Sequence, residues 1–140
     1  MSKKAEAVVA ADVASDEFQR MLDALDIEIE ALDDDDQKKF DENKAVVIKG
    51  ICSGRITMSE EGLPTVALKY PVDSITSLTF KFPTAASLVA FGDSKSTNKM
   101  TQAWKCLEDL TGVPSAIIGK MRKRPDFEVL ETLLTLFLAA

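Results

Sequence analysis

The residue types that support catalysis or metal binding are sparse in this chain of 140 residues. It has no histidine, so an imidazole base or metal ligand is excluded. Cys52 and Cys106 stand alone and far apart, which excludes a disulfide framework or a zinc site and predicts two buried, reduced thiols. No nucleophile motif and no glycine-rich nucleotide fingerprint is present. We therefore predict that the protein is not an enzyme and has no cofactor.

The acidic run Asp33–Asp36 supplies oxygen atoms of the kind that calcium prefers. An EF-hand loop, however, needs alternating ligands, a central glycine and a late glutamate, and that spacing is absent. At the end of the helix predicted before it, the run also opposes the helix macrodipole. We expect a solvated linker that ends this helix, and no metal site.

A basic cluster follows late in the chain, formed by Lys120, Arg122, Lys123 and Arg124. These charges can face water at a helix end, or they can dock an acidic segment, including the acidic N-terminal region of this protein. Contact with nucleic acid is a third interpretation, as in a small regulatory protein. The net charge of −6 and the lack of interleaved aromatic residues argue against it, so no nucleic-acid partner is predicted.

Charge divides the chain into two regions. Residues 1–43 contain 14 acidic and 5 basic residues, whereas residues 44–140 contain 9 acidic and 12 basic residues. The division predicts an acidic N-terminal arm or helix over 1–43 and an α+β domain over 44–140.

The arm should contain one amphipathic helix. Ser15 is a suitable N-cap, and the first residues of the chain are expected to be frayed. An apolar seam follows at helical spacing, formed by Phe18, Leu22, Leu25, Ile29 and Leu32. The helix either docks on its own domain or binds a partner or a second copy.

The sequence pattern in the middle of the chain predicts antiparallel strands. Residues 45–58 predict one long strand or two short ones, with a bulge or bend at Gly50 and Gly54. A turn at 59–62 leads to a strand over 63–70. A second turn over 71–74 leads to a strand with Leu78, Phe80 and Phe82 on one face, which ends at Pro83.

Helices should follow Pro83. Thr84 caps a short helix with Leu88, and a second helix places Met100, Trp104 and Leu107 on an apolar stripe, where Trp104 is interpreted as a core residue. Gly112 ends that helix, and a short helix runs from 115 to 121.

Pro125 and Asp126 then open a last helix that is apolar nearly all round, so it is either the central core helix or part of an interface. The predicted fold class is α+β: a small β-hairpin or three-stranded antiparallel sheet, followed by a C-terminal helical bundle, with an acidic N-terminal helix.

Nothing in the sequence predicts a membrane partner. Acidic residues appear too early for a signal peptide, and the longest apolar run is too short to span a bilayer.

From the strand before Pro83 onward, the chain resembles the tail assembly chaperones of long-tailed bacteriophages. The matching order is a strand ending at Pro83-Thr84, a helix with Leu88, a spacer, and a helix closing in the segment 110–114, Leu-Thr-Gly-Val-Pro. A short helix, Asp126 and an apolar last helix complete it. The resemblance covers about half of the chain.

The resemblance implies a chaperone that binds the tape measure protein and keeps it soluble until the tail tube polymerises around it. Tail tube protein is a further implied partner, and the chain is expected to form homo-oligomers in the host bacterial cytoplasm and to be absent from the mature virion. The alternative is a structural virion component, such as a head–tail connector or a tail subunit. The candidate partner-binding residues are Phe18, Leu22, Leu25, Ile29, Leu130, Leu134, Phe137 and Leu138.

Overall fold

The computed structural model describes residues 10–27, 33–85 and 99–138. It confirms the α+β class, with a three-stranded antiparallel sheet and helices before and after it. In chain order the elements are α1 (Ala11–Ala24), α2 (Asp34–Cys52), β1 (Ile56–Met58), β2 (Pro64–Val72), β3 (Ile75–Thr79), α3 (Lys99–Thr111), α4 (Ser115–Ile118) and α5 (Glu128–Leu138). A wide turn over Lys123–Phe127 leads into α5.

The first helix starts earlier than its capping pattern predicts. α1 begins at Ala11 after Ala10, which provides no side-chain cap, so the assignment of Ser15 as N-cap is wrong. Alanine has the highest helix propensity, and burial of Ala14 adds packing to the extra turn. The helix ends at Ala24, so the seam is not one continuous helix as far as Leu32; Ile29 and Leu32 lie outside the described residues.

The acidic run begins a helix instead of ending one. The carboxylate of Asp33 accepts a hydrogen bond of 2.8 Å from the backbone N–H of Asp36, so Asp33 is the N-cap of α2. Asp34, Asp35 and Asp36 occupy the first turn, where negative charge is favoured by the macrodipole. The predicted solvated linker is therefore wrong, because the same acids are placed at the favourable end of the next helix.

The predicted strand over 45–52 is also wrong, since α2 continues to Cys52. The β-branched residues favoured a strand, but Phe40, Val47 and Ile51 recur at helical spacing on the buried face. Gly50 lets α2 approach β1 closely: a Cβ there would lie 2.5 Å from Cδ1 of Ile56. Gly54, with φ +81°, turns the chain into β1, so only the last part of the predicted strand is a strand.

The hairpin is confirmed, with shifted ends. β1 pairs with β2 and β2 pairs with β3, both antiparallel. The turn at 59–62 is as predicted, with Gly62 at φ +85°. The second turn lies at Asp73, with φ +53°, so that Pro71 belongs to β2 and the third strand is Ile75–Thr79, not 78–82.

The pairing of β2 with β3 is irregular. Between the pairs Ala67–Ser77 and Val72–Ile75, four residues of β2 face one residue of β3. Such a bulge releases backbone N–H groups from the ladder.

The helices after residue 98 follow in the predicted order, but α4 ends at Ile118 and not at 121, and α5 begins at Glu128 and not at Pro125. α3 ends before Gly112, whose φ of +75° is the left-handed conformation expected after a helix. Pro114 precedes α4, and Pro125 precedes α5 by three residues. The helix predicted after Thr84 falls on residues that lie outside the description.

One hydrophobic core includes residues from both of the predicted domains. α5 packs against α2 and α3, and Phe137 lies 4.9 Å from Phe80 between ring centroids. α1 joins the same cluster through Phe18, which contacts Phe40 at 5.9 Å. The proposed boundary after residue 43 is therefore corrected: it falls inside α2, and the acidic segment of α1 and α2 is part of the fold.

Candidate functional site

A buried carboxylate fixes the geometry of the segment before α5. Asp126 is fully buried, and its two oxygens accept hydrogen bonds from the backbone N–H groups of Lys69 and Tyr70 at 2.8 and 3.0 Å. Both N–H groups belong to the bulged part of β2. Two backbone donors compensate the burial of this group, and the segment is tied to the sheet as a result.

On one side of this segment lies an apolar depression, which we call the Trp104 pocket. It has a volume of about 340 Å³. It is lined by Trp104, Ile118, Gly119, Met121, Lys123, Arg124, Phe127, Glu128 and Glu131. Apolar walls with polar groups at the edge, at this volume, are typical of ligand-binding pockets.

The pocket exists because a glycine lies next to the indole. A Cβ at position 119 would approach two ring atoms of Trp104, Cη2 and Cζ3, to 3.1 Å. Gly119 has φ −65°, which any residue can adopt, so packing rather than backbone strain makes the difference between glycine and a larger residue here. A longer side chain at this position would fill the pocket.

On the other side lies a second depression of about 520 Å³, which we call the cationic cleft. It is lined by Val46, Lys49, Gly50, Ser53, Arg55, Lys69, Tyr70, Arg124, Pro125, Glu128 and Val129. Four of these residues carry positive charge and one, Glu128, carries negative charge. Arg124 and Glu128 border both the pocket and the cleft, and they form an ion pair at 3.2 Å.

The other three cations of the cleft form no ion pair with any described residue. Among the described residues, no carboxylate lies within 4.0 Å of the charged groups of Lys49, Arg55 or Lys69. The cleft is thus positive on a protein whose net charge is −6. It would attract an anionic group and discourage a cationic one.

Tyr70 extends the positive surface. The guanidinium carbon of Arg122 lies 4.5 Å from the centroid of its ring, and the Nζ of Lys69 lies 5.5 Å away. Cations over an aromatic face are stabilised by the ring quadrupole, so Tyr70 holds these two cations near the end of the cleft.

The candidate partner-binding residues from the seam and the last helix lie elsewhere. Six of them are at most 5% exposed and belong to the core, namely Phe18, Leu22, Leu25, Leu130, Leu134 and Phe137. Ile29 and the side chain of Leu138 are outside the description. The seam helix and the last helix were each expected either to pack on their own domain or to form an interface. In the structure both pack on their own chain. In this conformation these six side chains cannot form an exposed binding surface.

The basic cluster is solvent-exposed and takes part in the site. Lys120 pairs with Asp73 at 3.7 Å, Arg122 stacks on Tyr70, and Lys123 and Arg124 border the pocket. Trp104, interpreted from sequence as a core residue, packs against the core with one part and lines the pocket with another.

Comparisons with protein-family models, with curated proteins and with solved structures find no match to this chain.

Other chemistry is limited in the part of the chain that the structure describes. No group of three or more Asp, Glu or Cys side chains there is placed to hold a metal ion. No described helix combines the length and the hydropathy needed to cross a bilayer. Burial raises the pKa of the Cys106 thiol to about 11, with a further increase from the nearby carboxylate of Asp109, so this thiol stays protonated at neutral pH.

The cleft has no local signature in the sequence, for a physical reason. Lys49, Arg55 and Lys69 come from α2, from the turn after it and from β2, and none belongs to a local charge cluster. Only the three-dimensional fold brings them beside Arg124. The one available signal was Asp126, an acid in an otherwise basic and apolar segment.

Proposed function

We propose that this protein is a non-enzymatic tail assembly chaperone of a long-tailed bacteriophage that binds the tape measure protein and keeps it soluble in the host cytoplasm. The Trp104 pocket is the observation that carries the proposal, because it is an apolar depression left open on the folded chain. An apolar side chain of an amphipathic helix, such as a tape measure protein is expected to present, fits a pocket of this size and composition.

The position of the pocket supports the same proposal. Three of the segments on which the family resemblance depends lie at or beside it: α3 carries Trp104, the turn at Gly112 connects α3 to α4, and Asp126 anchors the turn before α5. Part of the region that resembles the family therefore forms the pocket.

A co-expression experiment tests this role. The chain is produced with overlapping segments of the tape measure protein from the same phage, and the soluble, co-purifying fraction of each segment is measured. We expect at least one segment to become soluble only when the chain is present. If no segment binds or is solubilised, the proposal is wrong.

A matched pair of variants assigns the effect to the pocket. Gly119→Leu places a side chain against Trp104 and should abolish co-purification, whereas Ala116→Leu, at an exposed position of α4 outside the pocket, should not. Mass spectrometry of purified virions gives a second test, since a chaperone should be absent from them. Presence in virions together with no tape measure binding would instead identify a structural component.

A further inference from the structure

The cationic cleft is not explained by binding of an apolar side chain alone. Lys49, Arg55 and Lys69 line one depression, and none of them forms an ion pair with a described carboxylate, although the described surface offers many acidic residues. Like charges placed together repel one another, and an anionic ligand would relieve that repulsion.

We propose that the cleft binds the carboxylates of an acidic stretch in the same protein segment whose apolar side chain enters the Trp104 pocket. This inference rests on the proposed chaperone function and adds the chemistry of the partner: an apolar anchor adjoining several acidic residues. The two depressions share Arg124 and Glu128, so one continuous segment that crosses this pair can occupy both.

The ion pair between Arg124 and Glu128 has a defined role in this arrangement. Glu128 neutralises Arg124 at 3.2 Å in the free protein, and both side chains are substantially exposed. An exposed pair of this kind contributes little to stability, so a ligand carboxylate can compete for Arg124. Removal of the Glu128 charge should therefore strengthen binding of an acidic segment.

An acidic protein segment fits better than a nucleic acid. The ring of Tyr70, the aromatic residue in the described lining of the cleft, already has Arg122 at 4.5 Å and Lys69 at 5.5 Å from its centroid, so these cations compete with base stacking there. The first turn of α2 presents Asp34, Asp35 and Asp36 to solvent, and a long polyanion would be repelled by them. A short acidic stretch beside an apolar anchor meets neither obstacle.

Two synthetic peptides test the inference with the full chain. Both contain the same amphipathic, leucine-bearing helix without tryptophan; one ends in four aspartates and the other in four asparagines. Trp104 is the single tryptophan, so its emission reports filling of the pocket. At low salt we expect the aspartate peptide to bind about tenfold more tightly. The difference should nearly vanish at about 0.5 M salt, because screening shortens the range of the charges.

Variants of equal charge change assign the effect to the cleft. Lys49→Glu should remove the preference for the aspartate peptide. Lys39→Glu, an exposed position about 15 Å earlier along α2, should retain it. Glu128→Gln should increase the preference for the aspartate peptide. This variant tests the inference even if Lys49→Glu does not fold.

Equal affinity for the two peptides, or equal effects of Lys49→Glu and Lys39→Glu, would overturn the inference. Tighter binding of a single-stranded dT oligonucleotide than of the aspartate peptide would overturn the assignment to a protein segment. The co-expression experiment gives an independent result. If tape measure segments are solubilised but the aspartate peptide is not preferred, the chaperone function stands and the proposed acidic ligand is wrong. If the aspartate peptide is preferred but no tape measure segment binds, the cleft binds carboxylates and the chaperone function is wrong.

Discussion

Two regions of this molecule that contain large apolar side chains differ in accessibility. The inner face of α5 carries Leu130, Leu134 and Phe137, all buried against α2, α3 and Phe80. The Trp104 pocket lies at the start of the same helix and is a depression in the protein surface. The number of apolar residues in a helix therefore does not identify a binding surface. What leaves space here is Gly119 beside an indole, on a segment anchored by a buried carboxylate.

The largest expected effect comes from a charge on the buried side of α5. Leu134→Asp places an unpaired carboxylate in the core and should cost more than about 4 kcal/mol, enough to unfold the protein. The neighbouring exposed variant Thr135→Asp should cost about 1 kcal/mol or less. Chemical denaturation followed by circular dichroism measures both. A folded Leu134→Asp protein that had lost only partner binding would show that α5 is an interface.

The next effect concerns the anchor between the two regions. Asp126→Ala leaves the N–H groups of Lys69 and Tyr70 without their acceptor and should reduce the free energy of unfolding by about 2–5 kcal/mol. Asp126→Asn keeps one acceptor oxygen and should lose less. Denaturant titration of the purified variants gives these values, with the exposed Asp35→Ala as control. If Asp126→Ala lowers the free energy of unfolding no more than Asp35→Ala does, Asp126 does not anchor this segment.

A smaller effect is expected where α3 turns toward α4. Gly112 has φ +75°, and among the described residues no heavy atom beyond its chain neighbours would lie within 4 Å of an added Cβ. Gly112→Ala should therefore cost about 1–2 kcal/mol from backbone strain alone. Thermal unfolding followed by Trp104 emission detects the loss and any change in the pocket. Full stability in this variant would contradict the left-handed conformation.

The smallest effects are those of the two thiols. Cys106 is fully buried with its pKa raised to about 11, whereas Cys52 is partly exposed. With a thiol reagent at pH 8, Cys52 should react first and Cys106 only as the protein opens. Rapid reaction of both thiols in the folded protein would contradict the packing of α3.

The raised pKa of Cys106 also predicts a pH dependence of stability. Between the ordinary thiol value of 9.0 and about 11, the unfolded chain loses the Cys106 proton and the folded chain keeps it, so the stability contribution falls as pH rises. Well below pH 9 the Cys106 thiol is protonated in both the folded and the unfolded chain, so it does not change the free energy of unfolding with pH. Cys106→Ser removes an ionisable group from this range and should flatten the decline. Denaturation midpoints from pH 8 to 11 measure the difference.

Local chemistry predicted the second half of the fold better than the first. Gly112 and Pro114 mark the end of α3 and the start of α4 through backbone preferences that need no tertiary information. The residues Val46, Val47 and Ile48 favoured a strand, yet they lie in α2, because packing against α5 and the close approach at Gly50 decide the matter. The acidic run Asp33–Asp36 was ambiguous, since the same acids oppose one helix end and favour the next helix start.

The candidate site was less predictable than the fold. Trp104 and the basic cluster were visible in the sequence, but their arrangement around a pocket depends on the turn held by Asp126. The packing of α2, β1 and β2 places Lys49, Arg55 and Lys69 around the same cleft. Sequence patterns gave no reason to connect them.

Hydrogen exchange measured by mass spectrometry, on the free chain and on the chain bound to a solubilised tape measure segment, tests whether the Trp104 pocket is the binding surface. We expect slower exchange in the complex over residues 115–127, which include much of the pocket wall, and no change over 130–137, which are largely buried in the core. Faster exchange over 130–137 on binding, with residues 115–127 unchanged, would show that the partner opens the core and that the pocket is not the binding surface.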